Sequence, residues 1–275
     1  MQHLKPLRFT PLALERCHDR WTCVMYLRFS RVIIAATFLL AIAMMATLAT
    51  QSGRSLAWAA YTRMHGRASI EDRLGELSIA TQRIRDRCAR AGLPFPPETV
   101  TLVAIKDVRL LLVYGGPPSS LRLVAEFPIL GASGTSGPKR YAGDGQVPEG
   151  IYGIESLNPN SRFHLALRVD YPNASDRRWA QRDGRTDLGG DIMIHGGNAS
   201  TGCLAMGDPV IEELFSLVAA VGVERTKLVT TPTADVAAAS IPSGAPSWVA
   251  ELYGEIEREL LALENTSDPP KSRNR

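Results

Sequence analysis

Cysteine and histidine are scarce in this sequence, which has four Cys and five His among 275 residues. Cys17 and Cys23 are separated by five residues, with His18 between them, and no second Cys pair follows. Structural zinc sites use closely spaced pairs of ligands, so this spacing does not indicate zinc. We therefore expect neither a metal nor another cofactor.

A net excess of positive charge is also lacking beyond the N-terminus. The formal net charge is +3, but residues 1–31 contain six basic and two acidic residues, which leaves the remainder at about −1. No long basic surface interleaved with aromatic residues follows. A nucleic-acid partner is therefore not expected.

Charged residues are absent from Val32 to Thr50, a run that is apolar on every face and long enough to cross a bilayer as a helix. Arg28 and Arg31 precede it, so the positive-inside rule predicts a cytoplasmic segment at 1–31, a membrane anchor at 32–50, and the rest outside the cytoplasm. The alternative is a cleaved signal sequence, especially if translation begins at Met25.

The remaining chain is predicted to fold as a mainly β, α+β protein. Residues 51–97 are expected to form a polar stretch and a helix that begins near Ser69. Turn residues then separate short strands, and an Asp208-Pro209 capping box with Glu212 opens a helix that Gly222 ends. Residues 233–275 should form a linker, a helix over 248–263 that packs on the domain, and a disordered tail. The predicted strands are 100–104, 109–114, 121–128, 150–155, 163–169, 191–195 and 227–231.

The segment from Ile192 to Met206 carries the clearest chemical signal. An apolar run ends in His195-Gly196, a loop of small residues follows, and Ser200-Thr201-Gly202-Cys203 closes it. A thiol attacks a carbonyl as thiolate, so a neighbouring base and backbone N–H groups for the oxyanion are needed. We expect Cys203 to be the nucleophile and His195 the base that raises its thiolate fraction. The alternative is a disulfide with Cys88, but Cys88 lies in a charged helical pattern.

This segment resembles the signature of YkuD-type L,D-transpeptidases, which remodel bacterial peptidoglycan, and in particular their YafK-like branch. The resemblance extends over residues 98–232. One departure is Thr201, where many members have His before the Gly-Cys pair, and the loop between His195 and Cys203 is also shorter than in most members. The supporting motifs are Gly137-Pro138-Lys139, Gly143-Asp144, Pro148-Glu149-Gly150-Ile151-Tyr152, the block from Leu157 to Leu167, and Tyr171-Pro172-Asn173-Ala174.

The resemblance implies a YkuD-like β-sandwich or barrel domain in the periplasm, anchored in the inner membrane or secreted. It implies a thioester between Cys203 and the third residue of a peptidoglycan stem peptide, and a Gly196 carbonyl that orients the base. Gly202 and Cys203 N–H groups are expected to form the oxyanion hole, and Ser200 to support the loop. The acceptor stays open: a second stem peptide, an outer-membrane lipoprotein, or water.

Arg162 and His164 lie in the block most like the branch and are expected to alternate onto one strand face. There they would bind the carboxylates of the stem peptide, with a structural network as the alternative. Lys139 and Asp144 are weaker candidates, since a polar loop with solvated charges explains them.

Three functional hypotheses remain beside the transpeptidase. The first is a hydrolase of the same family that releases peptidoglycan-linked lipoprotein. The second is a non-catalytic cell-wall binding module, which the retention of Cys203 and His195 disfavours. The third is a metal-binding protein that uses His195, Cys203 and His164, which lack paired ligand spacing.

Overall fold

The computed structural model describes residues 66–266 together with Ile33 and Thr37. The fold belongs to the unit Arg67–Arg275. The basic N-terminal segment, Cys17, Cys23 and nearly all of the expected anchor or signal segment Val32–Thr50 lie outside the described residues. In the part of the chain that is described, no helix is both long and apolar enough to span a membrane.

One mixed sheet of eight strands forms the centre of this fold, in the order β3-β2-β1-β8-β4-β5-β6-β7. The expected mainly β, α+β class is confirmed, and the first three strands begin and end close to their predicted bounds. The strands are β1 Thr99–Ile105, β2 Leu110–Gly116, β3 Arg122–Pro128, β4 Gly150–Ser161, β5 His164–Val169, β6 Met193–His195, β7 Leu204–Ala205 and β8 Thr226–Thr231.

Strand β4 joins the two halves of the sheet. Its first residues, from Gly150 to Gly153, pair with β8, whereas residues from Ile154 to Ser161 pair with β5. A register shift between Ile154 and Ser156 marks the change of partner, and such bulges bend a strand and increase its twist. β4 is longer than the predicted strand 150–155. Its extra length includes the Asn-Pro-Asn residues that follow, which the sequence suggested as a turn.

The helices lie on both faces of the sheet. They are α1 Ile70–Glu76, α2 Ser78–Arg90, α3 Ala174–Asp183, α4 Asp208–Val221 and α5 Trp248–Thr266, with a 3-10 turn at Val223–Arg225. Ser69 caps α1 through a capping box, as the sequence predicts. Helix α3 was not predicted, because only Trp179 and Ala180 are buried along it and its sequence carries no apolar period.

The predicted capping box at the start of α4 is wrong. Gly207 occupies the cap position, and no side chain caps the helix. The Asp208 carboxylate instead accepts a hydrogen bond from the Gly197 N–H at 2.8 Å, and Glu212 contacts the His164 ring. Both carboxylates therefore serve the loop and hairpin near His195. Gly222 ends the helix as predicted.

Two apolar clusters hold these layers together. The larger lies between the sheet and helices α2 and α4, and includes Ile84, Cys88 and Phe215, each fully buried. The smaller packs α5 against the opposite face, with Val229 and Ile256 at its centre. The amphipathic C-terminal helix thus packs on the domain as expected. Cys88 faces the core rather than the charged side of its helix, and both Cys88 and Cys203 are free thiols.

Candidate active site

Strands β6 and β7 bring the two candidate catalytic residues to the same part of the sheet. The two strands run parallel, with Ile194 opposite Leu204, so Cys203 lies one residue before β7 and beside Met193. Alternate residues of a strand share a face, so His195, which is opposite Ala205, lies on the same face as Cys203, two residues before Ala205. Their side chains can therefore converge on one reacting group.

The His195 imidazole is buried, with 2% of the residue exposed. Its Nδ1 lies 2.7 Å from the Gly196 carbonyl oxygen, the contact that the resemblance implied. A carbonyl only accepts hydrogen bonds, so Nδ1 carries the proton and Nε2 keeps its lone pair. The Phe163 ring stacks on the imidazole at 4.6 Å. Burial lowers the pKa of His195, and the Gly196 carbonyl opposes this only in part.

The Cys203 thiol is half-buried, and its Sγ lies 3.5 Å from the Asp191 carbonyl oxygen. Burial raises the pKa of the Cys203 thiol, the Asp191 charge raises it further, and the Met193 N–H and Lys139 oppose the shift. Both pKa shifts therefore favour a neutral thiol beside a neutral imidazole, in contrast to the expectation that His195 raises the resting thiolate fraction.

The expected oxyanion hole is closed in this structure. The Gly202 N–H donates to the Ser133 hydroxyl at 2.7 Å, and the Cys203 N–H donates to the Ser200 hydroxyl at 3.0 Å. The Ser200 hydroxyl in turn donates to the Cys203 carbonyl oxygen at 2.6 Å, so Ser200 does support the loop. A substrate carbonyl can reach either N–H only by displacing a hydroxyl oxygen.

The expectation for Arg162 and His164 is wrong in its geometry. Ser161 pairs with His164 across a two-residue turn, so Arg162 lies in a hairpin turn and not on a shared strand face. His164 has a positive φ of 72°, and its Nε2 lies 2.9 Å from the Glu212 carboxylate. The turn residue that reaches the candidate site is Phe163, which stacks on His195.

A cavity of about 280 Å³ borders the nucleophile loop. Half of its lining residues are glycines, so its wall exposes main-chain N–H and C=O groups to a ligand. Asp191 links it to Cys203, whose thiol contacts the Asp191 carbonyl. The cavity is lined by Lys139, Ala142, Gly143, Gly145, Gly189, Gly190, Asp191, Ile192, Thr201 and Gly202.

Lys139 is the charged residue that sequence reasoning undervalued. Lys139 is only 7% exposed. Its Nζ donates to the Asp144 carboxylate at 2.6 Å and to the Tyr141 carbonyl at 2.8 Å. The loop charges are therefore partnered, rather than solvated as the polar-loop interpretation has it. The signal available in the sequence was the Gly137-Pro138-Lys139 motif, whose glycine and proline shape a turn that points into the domain.

A larger cavity of about 710 Å³ is lined by residues of β1, β4, β8 and α5. Neither Cys203 nor His195 lines it. Among the described residues, no group of three or more His, Cys, Asp or Glu has the arrangement of a metal site. The smaller cavity is thus the one adjacent to the cysteine.

Comparison with known proteins agrees with this geometry. Residues 100–233 match the family model described as YkuD: L,D-transpeptidase catalytic domain. The YafK proteins of Escherichia coli strains K12 and O157:H7 are each 35% identical over 121 residues, which is 43% of this chain and 47% of the relative. The match therefore spans about half the length of these curated relatives.

Two solved structures are similar to part of this chain at lower sequence identity. Bd1075 of Bdellovibrio bacteriovorus is 19% identical, with a TM-score of 0.38, over 61% of this chain and 56% of that one. The helical cell shape determining protein Pgp2 of Campylobacter jejuni is 18% identical, with a TM-score of 0.41, over 68% and 64%. Residues 100–233 of this chain thus match the L,D-transpeptidase catalytic domain of the YkuD family, and the similarity to the YafK relatives supports the YafK-like branch.

Proposed function

We propose that this protein is a cysteine-dependent L,D-transpeptidase that acts on peptidoglycan stem peptides through a thioester on Cys203. The observation that carries the proposal is the hydrogen bond from His195 Nδ1 to the Gly196 carbonyl, because it leaves Nε2 as a proton acceptor on the face of the sheet that also carries Cys203. A buried neutral imidazole beside a thiol is suited to general-base catalysis.

In the first step, His195 Nε2 takes the thiol proton as the sulfur attacks the carbonyl carbon of the third stem residue. The C–N bond to the fourth residue breaks, and the departing amine takes the proton from the imidazolium. The products are a Cys203 thioester and a free D-residue. The Gly202 and Cys203 N–H groups stabilise the oxyanion once the carbonyl oxygen displaces the Ser133 and Ser200 hydroxyls.

In the second step, an acceptor attacks the thioester carbonyl and loses a proton to His195 Nε2. The proton then returns to the leaving sulfur, which restores the neutral pair. A stem-peptide amine gives a crosslink, a lysine amine of an outer-membrane lipoprotein gives attachment, and water gives hydrolysis. The same thioester serves all three, so the acceptor is decided by what the site binds.

The cavity beside Gly202 supports a peptide donor. Its glycine-rich wall offers main-chain hydrogen-bonding groups, which pair with an extended peptide without selecting its side chains. Lys139 adds a cation to this wall, close enough to Cys203 to favour its thiolate. Stem peptides carry carboxylates, for which a cation is a complementary partner.

Incubating the purified protein with muropeptides and with lipoprotein-linked peptidoglycan, and identifying the products by mass, tests this proposal. We expect an acyl adduct on Cys203 and release of the D-residue, with crosslinked dimers as the main product. Cys88→Ala is the matched control, because it removes the other described thiol and should retain the adduct. Hydrolysed products would make the protein a hydrolase, and an unmodified Cys203 would refute thioester chemistry.

We also propose that the catalytic domain acts in the periplasm, with residues 32–50 as an inner-membrane anchor. The charge asymmetry about this run supports the proposal. A reporter fused after Arg275 that is active only outside the cytoplasm is the expected result. Release of the fusion into the soluble periplasmic fraction would instead indicate cleavage.

A further inference from the structure

Helix α5 lies beyond the residues that match the family model, yet hydrogen bonds through intermediate side chains connect it to the loop that lines the cavity beside Cys203. We call residues 137–146 the Lys139 loop. We propose that α5 holds the Lys139 loop in its working position, with Tyr253 and Trp248 as positioning residues for the reaction at Cys203. The inference rests on the proposed function in taking that cavity as the substrate site.

The first connection runs through a buried carboxylate. The Tyr253 hydroxyl donates to Glu149 Oε2 at 3.0 Å, and Glu149 Oε1 accepts the N–H of Gly137 at 2.8 Å. Lys106 Nζ donates to the same Oε1 at 2.9 Å and to the Gly137 carbonyl at 3.0 Å. The Glu149 side chain is fully buried, so each of these donors offsets its loss of hydration.

The second connection starts one turn earlier in α5. The Trp248 Nε1–H donates to Asp183 Oδ2 at 2.8 Å, and the same oxygen accepts from Arg185 Nε at 3.0 Å. Arg185 Nη1 then donates to the Arg140 carbonyl oxygen at 2.8 Å. Two side chains of α5 are thus connected to main-chain atoms at two points of the Lys139 loop: Tyr253 to Gly137 through Glu149, and Trp248 to Arg140 through Asp183 and Arg185.

The Lys139 loop transmits its position to the nucleophile. The Asp144 carboxylate binds Lys139 Nζ at 2.6 Å and also accepts the N–H groups of Arg140 and Tyr141. At the other end of the loop, the Ser133 hydroxyl donates to the Gly145 carbonyl at 2.6 Å and accepts the N–H of Gly202 at 2.7 Å. Lys139 and the residue before Cys203 are therefore fixed by one continuous set of contacts.

Apolar packing alone does not require these groups. Helix α5 already buries Val249, Leu252 and Ile256 in the smaller apolar cluster. A phenylalanine would fill the space of the Tyr253 ring without its hydroxyl. Placing a hydroxyl and an indole N–H in this layer costs free energy unless both are bonded. Both are bonded, and each bond ends on a group that contacts the Lys139 loop.

Tyr253→Phe in the full chain tests the inference, because it removes one hydroxyl and keeps the ring. We expect kcat/KM on muropeptide to fall about tenfold, mostly through KM, since the donor site is displaced rather than the base. We also expect the pH profile of Cys203 alkylation by iodoacetamide to move up by about half a pH unit, because Lys139 no longer favours the thiolate as strongly. Trp248→Phe should change kcat/KM and the alkylation profile in the same direction. It replaces Tyr253→Phe as the test variant if Tyr253→Phe fails to fold.

Tyr114→Phe is the matched control, since Tyr114 packs in the same apolar cluster and its hydroxyl takes part in none of these contacts. We expect it to match the parent in both measurements. In a Lys139→Met background, Tyr253→Phe should no longer move the alkylation profile. Equal behaviour of Tyr253→Phe and Tyr114→Phe, or an undiminished shift without Lys139, would overturn the inference. If the parent has no muropeptide activity, the proposed function fails, whereas the alkylation measurement still decides the positioning role.

Discussion

Replacement of His195 by alanine separates two kinds of thiol activation. A preformed thiolate-imidazolium pair would lose its reactivity towards alkylating agents in His195→Ala. In this structure, burial raises the pKa of Cys203 and lowers the pKa of His195, so the resting pair is neutral. We therefore expect His195→Ala to alkylate at nearly the parental rate and yet to lose turnover.

The magnitudes follow from the ordinary thiol pKa of 9.0. A pKa above that value leaves less than about 1% of Cys203 as thiolate at pH 7. The alkylation rate of the parent should then be below about 1% of its plateau at pH 7 and should rise about tenfold per pH unit. Turnover needs the proton transfer, so His195→Ala should lower kcat by about 10²- to 10⁴-fold.

Iodoacetamide is a suitable probe because it is small and uncharged. Rates are measured from pH 6 to pH 10 by mass spectrometry of the Cys203 peptide in the parent, in His195→Ala and in His164→Ala as a matched control. His164 is bonded to Glu212, and its replacement should change alkylation less than about threefold. A parental plateau below pH 7 that disappears in His195→Ala would refute the neutral pair.

Three further predictions concern turnover and stability. Cys203→Ser should abolish acyl transfer with an unchanged melting temperature, and near-parental activity would exclude Cys203 as nucleophile. Glu213→Ala should lower the free energy of unfolding in urea by about 2 kcal/mol, because it leaves Arg83 and Arg87 without their buried partner at 2.8 Å; a change within error would contradict this. Burial raises the pKa of Asp176 from 3.8 to about 6, so the folded protein protonates first and its stability should rise, by at most about 3 kcal/mol, as pH falls from 6 towards 4. Asp176→Asn should flatten that dependence in thermal melts.

The linear pattern of the chain was sufficient for much of this architecture. Short apolar runs between turn residues predicted the strands β1, β2 and β3, because strand and turn preferences depend on neighbouring residues. The Ser69 capping box and Gly222 marked helix ends for reasons that involve only adjacent residues. His195 and Cys203 were identified as candidates for the same reason: a strand end and a glycine-containing loop separate them by only seven residues of sequence.

Contacts between distant segments could not be derived in this way. Whether the Gly202 and Cys203 N–H groups are free to bind a substrate carbonyl depends in part on Ser133, which lies 69 positions from Gly202 in sequence. The pKa of Cys203 depends on burial and on Lys139, and neither is a property of the local sequence. Asp208 and Glu212 matched a capping box, but the fold uses both carboxylates elsewhere.

The sequence by itself indicated Cys203 as the candidate nucleophile, His195 as the candidate base and the strand that ends at His195, because periodicity, turn chemistry and short loops act over neighbouring residues. Only the tertiary structure decided the protonation state of that pair, the cavity beside it and the contacts from Tyr253 and Trp248 to its wall. Those properties depend on which groups exclude water from one another, and burial is produced by packing segments that are far apart along the chain.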